Sequence, residues 1–241
     1  MAEFFEKSLK GKLDSLGVSK RDRKLTICQY GDPILHEPGR DIERFDENLV
    51  VFSLKVLLAM AKAGGIGLAA QQVGIAKRIC VVYIPELRYY DYYSEEDNFD
   101  EAGAKADEGF RPPAPQCFYD GKLINPEELG IMILVNPEIE KISTEEKTGM
   151  EGCLSFHEIR GGVSRPQEIR VRFQDIFGAI HTLECKGQLA RCIQHEVDHL
   201  NGTLFIDRMD EDYLKTIQHE LESLKKNNRQ VFKKNRPRVN F

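Results

Sequence analysis

The sequence lacks long apolar runs and paired-cysteine motifs, and these absences exclude several classes of protein. No run approaches 18 consecutive apolar residues in the 241-residue chain, so we expect no membrane-spanning helix. The N-terminal segment mixes acids and bases without an apolar centre, so it does not resemble a secretory signal. The six cysteines form no CxxC pair, which favours free thiols in a reducing compartment over a disulfide framework.

An excess of positive charge is also missing. The net charge of −5 argues against DNA binding by the whole domain, because a nucleic-acid surface is usually basic. With 41% apolar and 30% charged residues, the composition is that of a globular protein, and the length suffices for one domain with a sizeable core.

Hydrophobic periodicity predicts an α+β fold in a single catalytic domain over residues 25–224. The strands are clustered before and between the helices instead of alternating with them, which is the α+β arrangement. The predicted elements are strands at 25–33, 78–84, 131–135, 168–173 and 179–185, and helices at 46–63, 187–202 and 207–228.

Three segments stand apart from this domain. Residues 1–24 read as an N-terminal extension with a short amphipathic helix at 3–16. Residues 86–128 are acidic, rich in tyrosine and interrupted by prolines, which predicts a flexible insertion, with a partner-binding loop as the alternative. Residues 225–241 form a basic C-terminal tail, for which a solvated terminus is the simpler interpretation.

The motif that carries chemistry is His195-Glu196-Val197-Asp198-His199, inside the predicted helix at 187–202. Residues four apart lie on one helical face, so both imidazoles can reach a single metal ion. Glu196 lies about 100° round the helix, where it can act on water beside the ion without ligating it. The motif therefore predicts a metallohydrolase with Glu196 as general base.

Two histidines do not hold a metal ion tightly, so the site needs a third ligand. An extended motif with a third histidine fails, because Phe205 stands at that position. Glu220 or Glu222 on the following helix is one source of the ligand, and Cys153 is another. Taken alone, Cys153 is more typical of a buried structural thiol, so the residue pattern leaves the choice open.

Residues 65–72, GIGLAAQQ, are small and apolar and end in two amides. A glycine-rich turn leading into a tight core segment is the plain interpretation. A phosphate loop is excluded, because no GK[ST] follows. The glycines would allow a ligand to approach the backbone closely.

Three motifs together resemble the signatures of the peptide deformylases: GIGLAAQQ at 65–72, EGCLS at 151–155 and QHEVDH at 194–199. GDPILHEP, FDENL and VNPEI also match segments of that family. The resemblance implies antiparallel sheets surrounding a central HExxH helix, with a C-terminal helix. It also implies a metal-dependent hydrolase of protein biosynthesis that removes the N-formyl group from the N-formylmethionyl termini of nascent polypeptides, releasing formate.

The same resemblance assigns roles at the reaction centre. It implies that Cys153, His195 and His199 are metal ligands, with water in the fourth position. The ion expected is one divalent metal per chain, Fe²⁺ first, with Zn²⁺, Ni²⁺ or Co²⁺ as substitutes. The side-chain amide of Gln72 and the backbone N–H of Leu154 are implied as donors to the tetrahedral oxyanion.

The resemblance also implies how the peptide binds. The backbone at Ile66 and Gly67 would pair with it as an added strand. The other substrate-binding positions implied are Met150, Glu151, Gly152, Arg160, Arg191 and Cys192. Arg191 is unexpected in a methionine pocket; we expect its aliphatic stem to line the pocket while the guanidinium remains in water. We also expect Arg165 to pair with Asp198 beside a ligand histidine.

Some features depart from the family pattern: the long insertion, His157 where proline is common, and the basic tail. In bacterial members the C-terminal helix contacts the ribosome, so helix and tail are candidate ribosome contacts; we expect neither membrane nor DNA as a partner. Formylated initiation implies a bacterial cytoplasm or a bacterium-derived organelle. The acidic insertion and the N-terminal extension favour the organelle, plastid-like or mitochondrial and with its leader absent, and a bacterial cytoplasm is the alternative. The rival functions are a metalloprotease using Glu220 or Glu222, and an inactive formyl-peptide binder, against which the intact Glu196 argues.

Overall fold

The computed structural model describes residues 2–84, 117–141 and 143–228. The helices are α1 (Ala2–Ser15), α2 (Glu47–Lys62), α3 (Pro126–Leu129), α4 (Gly187–Leu200), α5 (Glu211–Thr216) and α6 (Gln218–Asn228). Three 3-10 helices cover Pro33–His36, Ala70–Val73 and Phe205–Arg208. The strands are β1 (Gly67–Ala69), β2 (Ile79–Val82), β3 (Cys117–Tyr119), β4 (Lys122–Ile124), β5 (Met132–Lys141), β6 (Glu146–Gly152), β7 (Arg160–Pro166), β8 (Glu168–Gln174) and β9 (Ile180–Lys186).

The strands form one sheet of seven, in the order β1-β2-β5-β8-β9-β3-β4, and a separate hairpin of β6 and β7. Every strand pair in these two sheets of the described chain is antiparallel. The predicted α+β fold is confirmed, with β2, β5, β8 and β9 at the four segments expected as strands. The strand expected at 25–33 is wrong: residues 25–29 belong to no strand of the described sheets, and a 3-10 helix begins at Pro33.

The strand β2 is apolar along its length, and its side chains are buried on both faces of the large sheet. Cys80 and Val82 pack into the cluster that contains α4, whereas Ile79 and Val81 pack with α1 and α2. Successive side chains of a strand point to opposite faces, so a strand between two helical layers has to be apolar throughout. The large sheet is thus the wall that separates two parts of the core.

Helix α4 is the buried centre of the fold. Twelve of its residues from Leu189 to Leu200 are all buried, including the charged ones. The helix ends at Asn201, and Gly202 follows with a φ of 74°, which suits glycine. A Cβ at Gly202 would lie 2.5 Å from the backbone oxygen of His36, so this close approach also requires glycine. A polar sequence is therefore held inside the protein, where each charged group needs a partner.

Parts of the segments we had set apart from the domain are folded onto it. Leu9 and Leu13 of α1 are buried against α2. Residues 117–129, expected within the flexible insertion, form the β3–β4 hairpin and α3; residues 86–116 of that insertion lie outside the described residues. The helix expected at 207–228 is divided into α5 and α6, and the tail beyond residue 228 also lies outside the description. Among the described helices, none has the length and apolarity needed to span a bilayer.

Burial of Leu13 predicts that the N-terminal extension stabilises the domain. Leu13→Ala should lower the free energy of unfolding by about 2–5 kcal/mol, because it leaves a cavity at a fully buried site. Urea denaturation monitored by circular dichroism measures this. Leu123→Ala, at a side chain 55% exposed, is the matched control and should change little. Equal stability of the two variants would show that α1 is an appendage.

Candidate metal centre

The structure brings together one thiol and two imidazoles that are far apart in sequence. Cys153 follows β6, whereas His195 and His199 lie one turn apart on α4, with ring centroids separated by 5.1 Å. One ligand atom from each of the three residues lies within 4.8 Å of the other two. All three are withdrawn from solvent, so this cluster could hold a single metal ion.

The imidazole of His195 is held in a defined orientation, whereas His199 Nδ1 has no hydrogen-bond partner among the described residues. His195 Nδ1 lies 2.9 Å from Glu151 Oε2, which turns the Nε2 edge of the ring away from the carboxylate. His199 Nε2 lies 3.2 Å from Cys153 Sγ. A carboxylate that accepts a hydrogen bond from one ring nitrogen leaves the other nitrogen free to ligate, which is the usual support of a metal-bound histidine.

Glu196 lies beside the ligands but not among them. Its side chain is buried, and burial raises the pKa of its carboxyl to about 7. Its Oε2 has no hydrogen-bond partner among the described residues. The other oxygen, Oε1, would lie 2.3 Å from a Cβ at Gly67, so the glycine provides the space that this carboxylate occupies. Glu196 is therefore a buried carboxyl at the side of the cluster, with a pKa raised towards neutrality.

The amide of Gln72 is fixed by hydrogen bonds at both ends. Its Oε1 accepts a hydrogen bond from the backbone N–H of Ala69 at 2.8 Å, which forces the NH₂ group to the other side. That NH₂ group lies 3.3 Å from both Cys153 Sγ and Ser155 Oγ. Gln72 thus presents donors to the cluster from the 3-10 helix that follows β1.

The buried Arg165 connects the two segments that carry the cluster. Arg165 on β7 donates to both oxygens of Glu151, at 2.6 and 2.9 Å, and to Asp198 at 2.7 Å. The predicted pair of Arg165 and Asp198 is confirmed, but the bidentate pair with Glu151 was not foreseen. Arg208 also binds Asp198 through two nitrogens. Burial alone would raise the pKa of Glu151, but the hydrogen bonds from Arg165 and His195 outweigh it and hold that pKa well below its ordinary value.

A cavity of about 680 Å³ opens onto the cluster. Residues 64–67 line it on one side and residues 150–154 on another, and α4 contributes to its wall. Apart from His199, every predicted site residue lines the cavity: Ile66, Gly67, Gln72, Met150, Glu151, Gly152, Cys153, Leu154, Arg160, Arg191, Cys192, His195 and Glu196. Residues of the lining that we had not singled out are Gly64, Gly65, Phe156, Glu158, Ile159 and Gln188.

Two expectations need correction. The guanidinium of Arg191 is not in water: the side chain is 8% exposed and pairs with Glu151 at 2.8 Å. The signal in the sequence was an acidic residue, Glu151, and a basic residue, Arg191, in two segments that were both expected to line the pocket. Glu220 and Glu222, the alternative third ligands, are exposed on α6 and do not belong to the cluster. The structure therefore favours Cys153 over either glutamate.

The donor set fits a divalent transition-metal ion. A thiolate is a soft ligand and two imidazoles are borderline, a combination that suits Fe²⁺, Co²⁺, Ni²⁺ and Zn²⁺ and does not suit Mg²⁺ or Ca²⁺. The cavity reaches Cys153, His195 and Glu196, so the cluster is accessible from the side of Glu196. Such an open position is typical of a catalytic site, whereas a structural site is closed by protein ligands.

Comparison with known proteins matches most of the chain to one family. A family model for polypeptide deformylase matches residues 24–215. A peptide deformylase of Opitutus terrae is 43% identical over 212 residues, which cover 88% of this chain and 98% of that protein. One of Prochlorococcus marinus subsp. pastoris is 35% identical, covering 77% and 73%. The solved peptide deformylase of Plasmodium falciparum superposes with a TM-score of 0.66 at 32% identity, covering 86% of this chain and 98% of that one.

The Arg165 network predicts a large loss of stability when one partner is removed. Arg165→Ala leaves Glu151 without its bidentate partner in a buried place, which should cost about 3–5 kcal/mol. Urea denaturation of the metal-free protein measures the change. Arg170→Ala, at an arginine that is 42% exposed and pairs with Glu140 and Glu184, is the control and should have little effect. A similar loss in both variants would contradict the special place of Arg165.

Proposed function

The chain belongs to the polypeptide deformylase family, and from this premise we propose which of its residues perform the family's reaction. The protein is a metal-dependent hydrolase that removes the N-formyl group from nascent polypeptides. One observation carries the assignment of residues: Cys153, His195 and His199 present ligand atoms within 4.8 Å of one another, beside the buried Glu196.

In this proposal Cys153, His195 and His199 hold one divalent ion, with Fe²⁺ as the first candidate and Zn²⁺, Ni²⁺ or Co²⁺ as substitutes. The chemistry of one thiolate and two imidazoles supports this set without choosing within it. When bound, the ion supplies Lewis acidity, which lowers the pKa of water and polarises the formyl carbonyl. The protein has to supply the base, the oxyanion donors and the position of the peptide.

Glu196 is the proposed general base and acid. It takes a proton from the water that attacks the formyl carbon and then delivers this proton to the departing amine. A carboxyl whose pKa is raised to about 7 by burial is suited to both steps, because it is neither always ionised nor always protonated near neutral pH. Gly67 supports this role, because a side chain there would push the carboxylate out of place.

Gln72 and Leu154 are the proposed oxyanion donors. As the formyl carbon becomes tetrahedral, its oxygen gains negative charge and needs donors that are already oriented. The Gln72 amide meets this need, because the Ala69 N–H fixes its flip and directs its NH₂ group to the cluster. The backbone N–H of Leu154 follows the ligand Cys153 directly and lies at the wall of the same cavity.

The peptide is proposed to enter as an added strand. β1 is an edge strand of the large sheet, and Ile66 and Gly67 line the cavity beside it. An extended chain could pair with this open edge through its backbone, which makes binding independent of most of its side chains. Met150, Cys192 and neighbouring lining residues would surround the first side chain, and Arg160 at the rim would meet the peptide further along.

Ribosome contact and location are the broader parts of the proposal. Helix α6 exposes most of its length, and Lys225 and Lys226 begin a run of basic residues that continues through the tail. These charges support docking near the ribosomal exit, where nascent chains emerge. The bacterial relatives favour a bacterial or plastid-like enzyme, and among these settings we propose a bacterium-derived organelle. Immunolocalisation in the source cells tests the location, and exclusion from every compartment that initiates with formylmethionine would reject it.

The ligand set predicts distinct behaviour for three substitutions. Cys153→Ala should abolish bound metal and formate release together, because two imidazoles do not hold a divalent ion tightly. Glu196→Gln keeps the ligands, so metal content should remain near that of the unsubstituted protein while turnover falls by roughly 10² or more. Glu222→Gln, on exposed α6, should change neither. Formate release from formyl-Met-Ala-Ser and metal analysis, both under anaerobic conditions, provide the measurements.

Cobalt substitution gives a direct view of the thiolate. A cysteine ligand produces a thiolate-to-metal charge-transfer band in the near ultraviolet, which should vanish in Cys153→Ala and persist in Glu222→Gln. If the metal stayed in Cys153→Ala and left in Glu220→Gln or Glu222→Gln, a carboxylate of α6 would be the third ligand in place of the thiolate and the proposed ligand set would be wrong.

The basic tail predicts a salt-sensitive contact with the ribosome. Deletion of residues 229–241 should weaken co-sedimentation with ribosomes at low salt without altering turnover of the small peptide, because it removes basic residues of the tail and leaves every residue of the cluster in place. The cut lies after Asn228 because its side chain donates to the backbone of Tyr30 and so anchors α6. Co-sedimentation that is indifferent to both the deletion and ionic strength would exclude an electrostatic role for the tail.

A further inference from the structure

The guanidinium of Arg191 is buried deep in the wall of the cavity and is held by three acceptors. It donates to Glu151 Oε1 at 2.8 Å, to the backbone oxygen of Val163 at 2.7 Å and to that of Lys147 at 2.6 Å. Val163 lies on β7 and Lys147 on β6, so a single side chain of α4 spans both strands of the hairpin. This arrangement is a cross-link between helix and hairpin, and it does not resemble a solvated cation at a pocket rim.

The bond to Glu151 completes the coordination of that carboxylate. Glu151 accepts hydrogen bonds from Arg165 Nε and Nη2, from Arg191 Nη1 and from His195 Nδ1. A carboxylate has about four lone-pair sites, so these four donors fill it. Arg165 on β7 donates to both oxygens, and Arg191 adds a donor to Oε1 from α4, the helix that carries His195. The two arginines together fix the direction in which Oε2 meets the His195 ring.

Gly149 makes room for this guanidinium. A Cβ at position 149 would lie 3.0 Å from Arg191 Cζ and Nη2 and 3.1 Å from Nε, which is too close for ordinary contact. Gly149 has no positive φ, so its backbone does not itself require glycine. The absence of a side chain therefore serves the arginine. Since the head is held by three acceptors, it cannot yield by several tenths of an ångström without misaligning them.

We propose that Arg191, seated against Gly149, is a positioning residue that fixes Glu151 and through it the ligand His195. This inference rests on the proposed metal centre and adds to it the residues that aim one of its ligands. Outer partners of a ligand histidine typically change metal affinity by about 10–100-fold when they are lost. In this proposal Arg191 acts on His195 through Glu151 and not directly, so we expect a change in metal affinity at the lower end of that range.

The test measures Zn²⁺ affinity, which does not depend on turnover. The dissociation constant for Zn²⁺ is determined by competition with a chelating dye, and urea denaturation of each metal-free protein gives its stability. Arg191→Met should weaken Zn²⁺ binding by about tenfold, and Arg191→Lys, which keeps one charged donor, should recover part of this loss. Arg170→Met, at an exposed arginine with two ion pairs, is the matched control and should bind Zn²⁺ as the unsubstituted protein does.

Gly149→Ala provides the decisive combination. Alone it should weaken Zn²⁺ binding, whereas in the Arg191→Met background it should have no effect, because its influence passes through the guanidinium. Gly11→Ala, with no atom near the added Cβ, is the glycine control. Lower stability with unchanged Zn²⁺ affinity in Arg191→Met would reduce Arg191 to a structural cross-link and overturn the proposal. So would an equal effect of Gly149→Ala in both backgrounds. Absence of Zn²⁺ binding in the unsubstituted protein would instead reject the metal centre itself.

Discussion

The carboxylate of Glu151 is buried, and the geometry around the cluster follows from how its charge is satisfied. A buried ion is costly unless it is paired and fully hydrogen-bonded, so Glu151 draws arginines from two different elements, β7 and α4. One of its oxygens also orients His195. Glu151 precedes Cys153 by two residues on the same segment, so the loop that supplies the thiol is tied to the helix that supplies the imidazoles.

Two glycines, which have no side chain, are as important to this arrangement as the charged residues. Gly67 leaves space for the carboxylate of Glu196, and Gly149 leaves space for the guanidinium of Arg191. Neither glycine has a positive φ, so both serve close approach and not a turn. Burying a large charged group next to a strand requires that the strand give up volume at that point, because protein interiors are packed without spare room.

The sequence was sufficient to predict the strands and helices that show a regular pattern of apolar residues along a short stretch of chain. β2, β5, β8 and β9 are rich in apolar residues, and α4 carries a helical motif, so periodicity was sufficient for these. The β6–β7 hairpin was missed because Glu146–Gly152 and Arg160–Pro166 contain glycines, charges and a proline in place of apolar alternation. Its stability depends on the buried arginines that cross it, and such long-range pairs leave no periodic trace. The ligand set was suggested by motif resemblance, whereas the position of the Arg191 head required the structure.

A buried ionic network is an unusual choice for stability alone, because apolar residues of similar volume often stabilise a protein at least as well. Apolar packing, however, has no preferred direction, whereas a bidentate arginine fixes both distance and angle. Arg165 bridges Glu151 and Asp198, which precede the proposed ligands Cys153 and His199 by two residues and by one. The spacing of these ligands is thereby set by hydrogen bonds whose lengths vary little. A site that must hold one ion and leave one side open for substrate needs this directional control more than it needs additional stability.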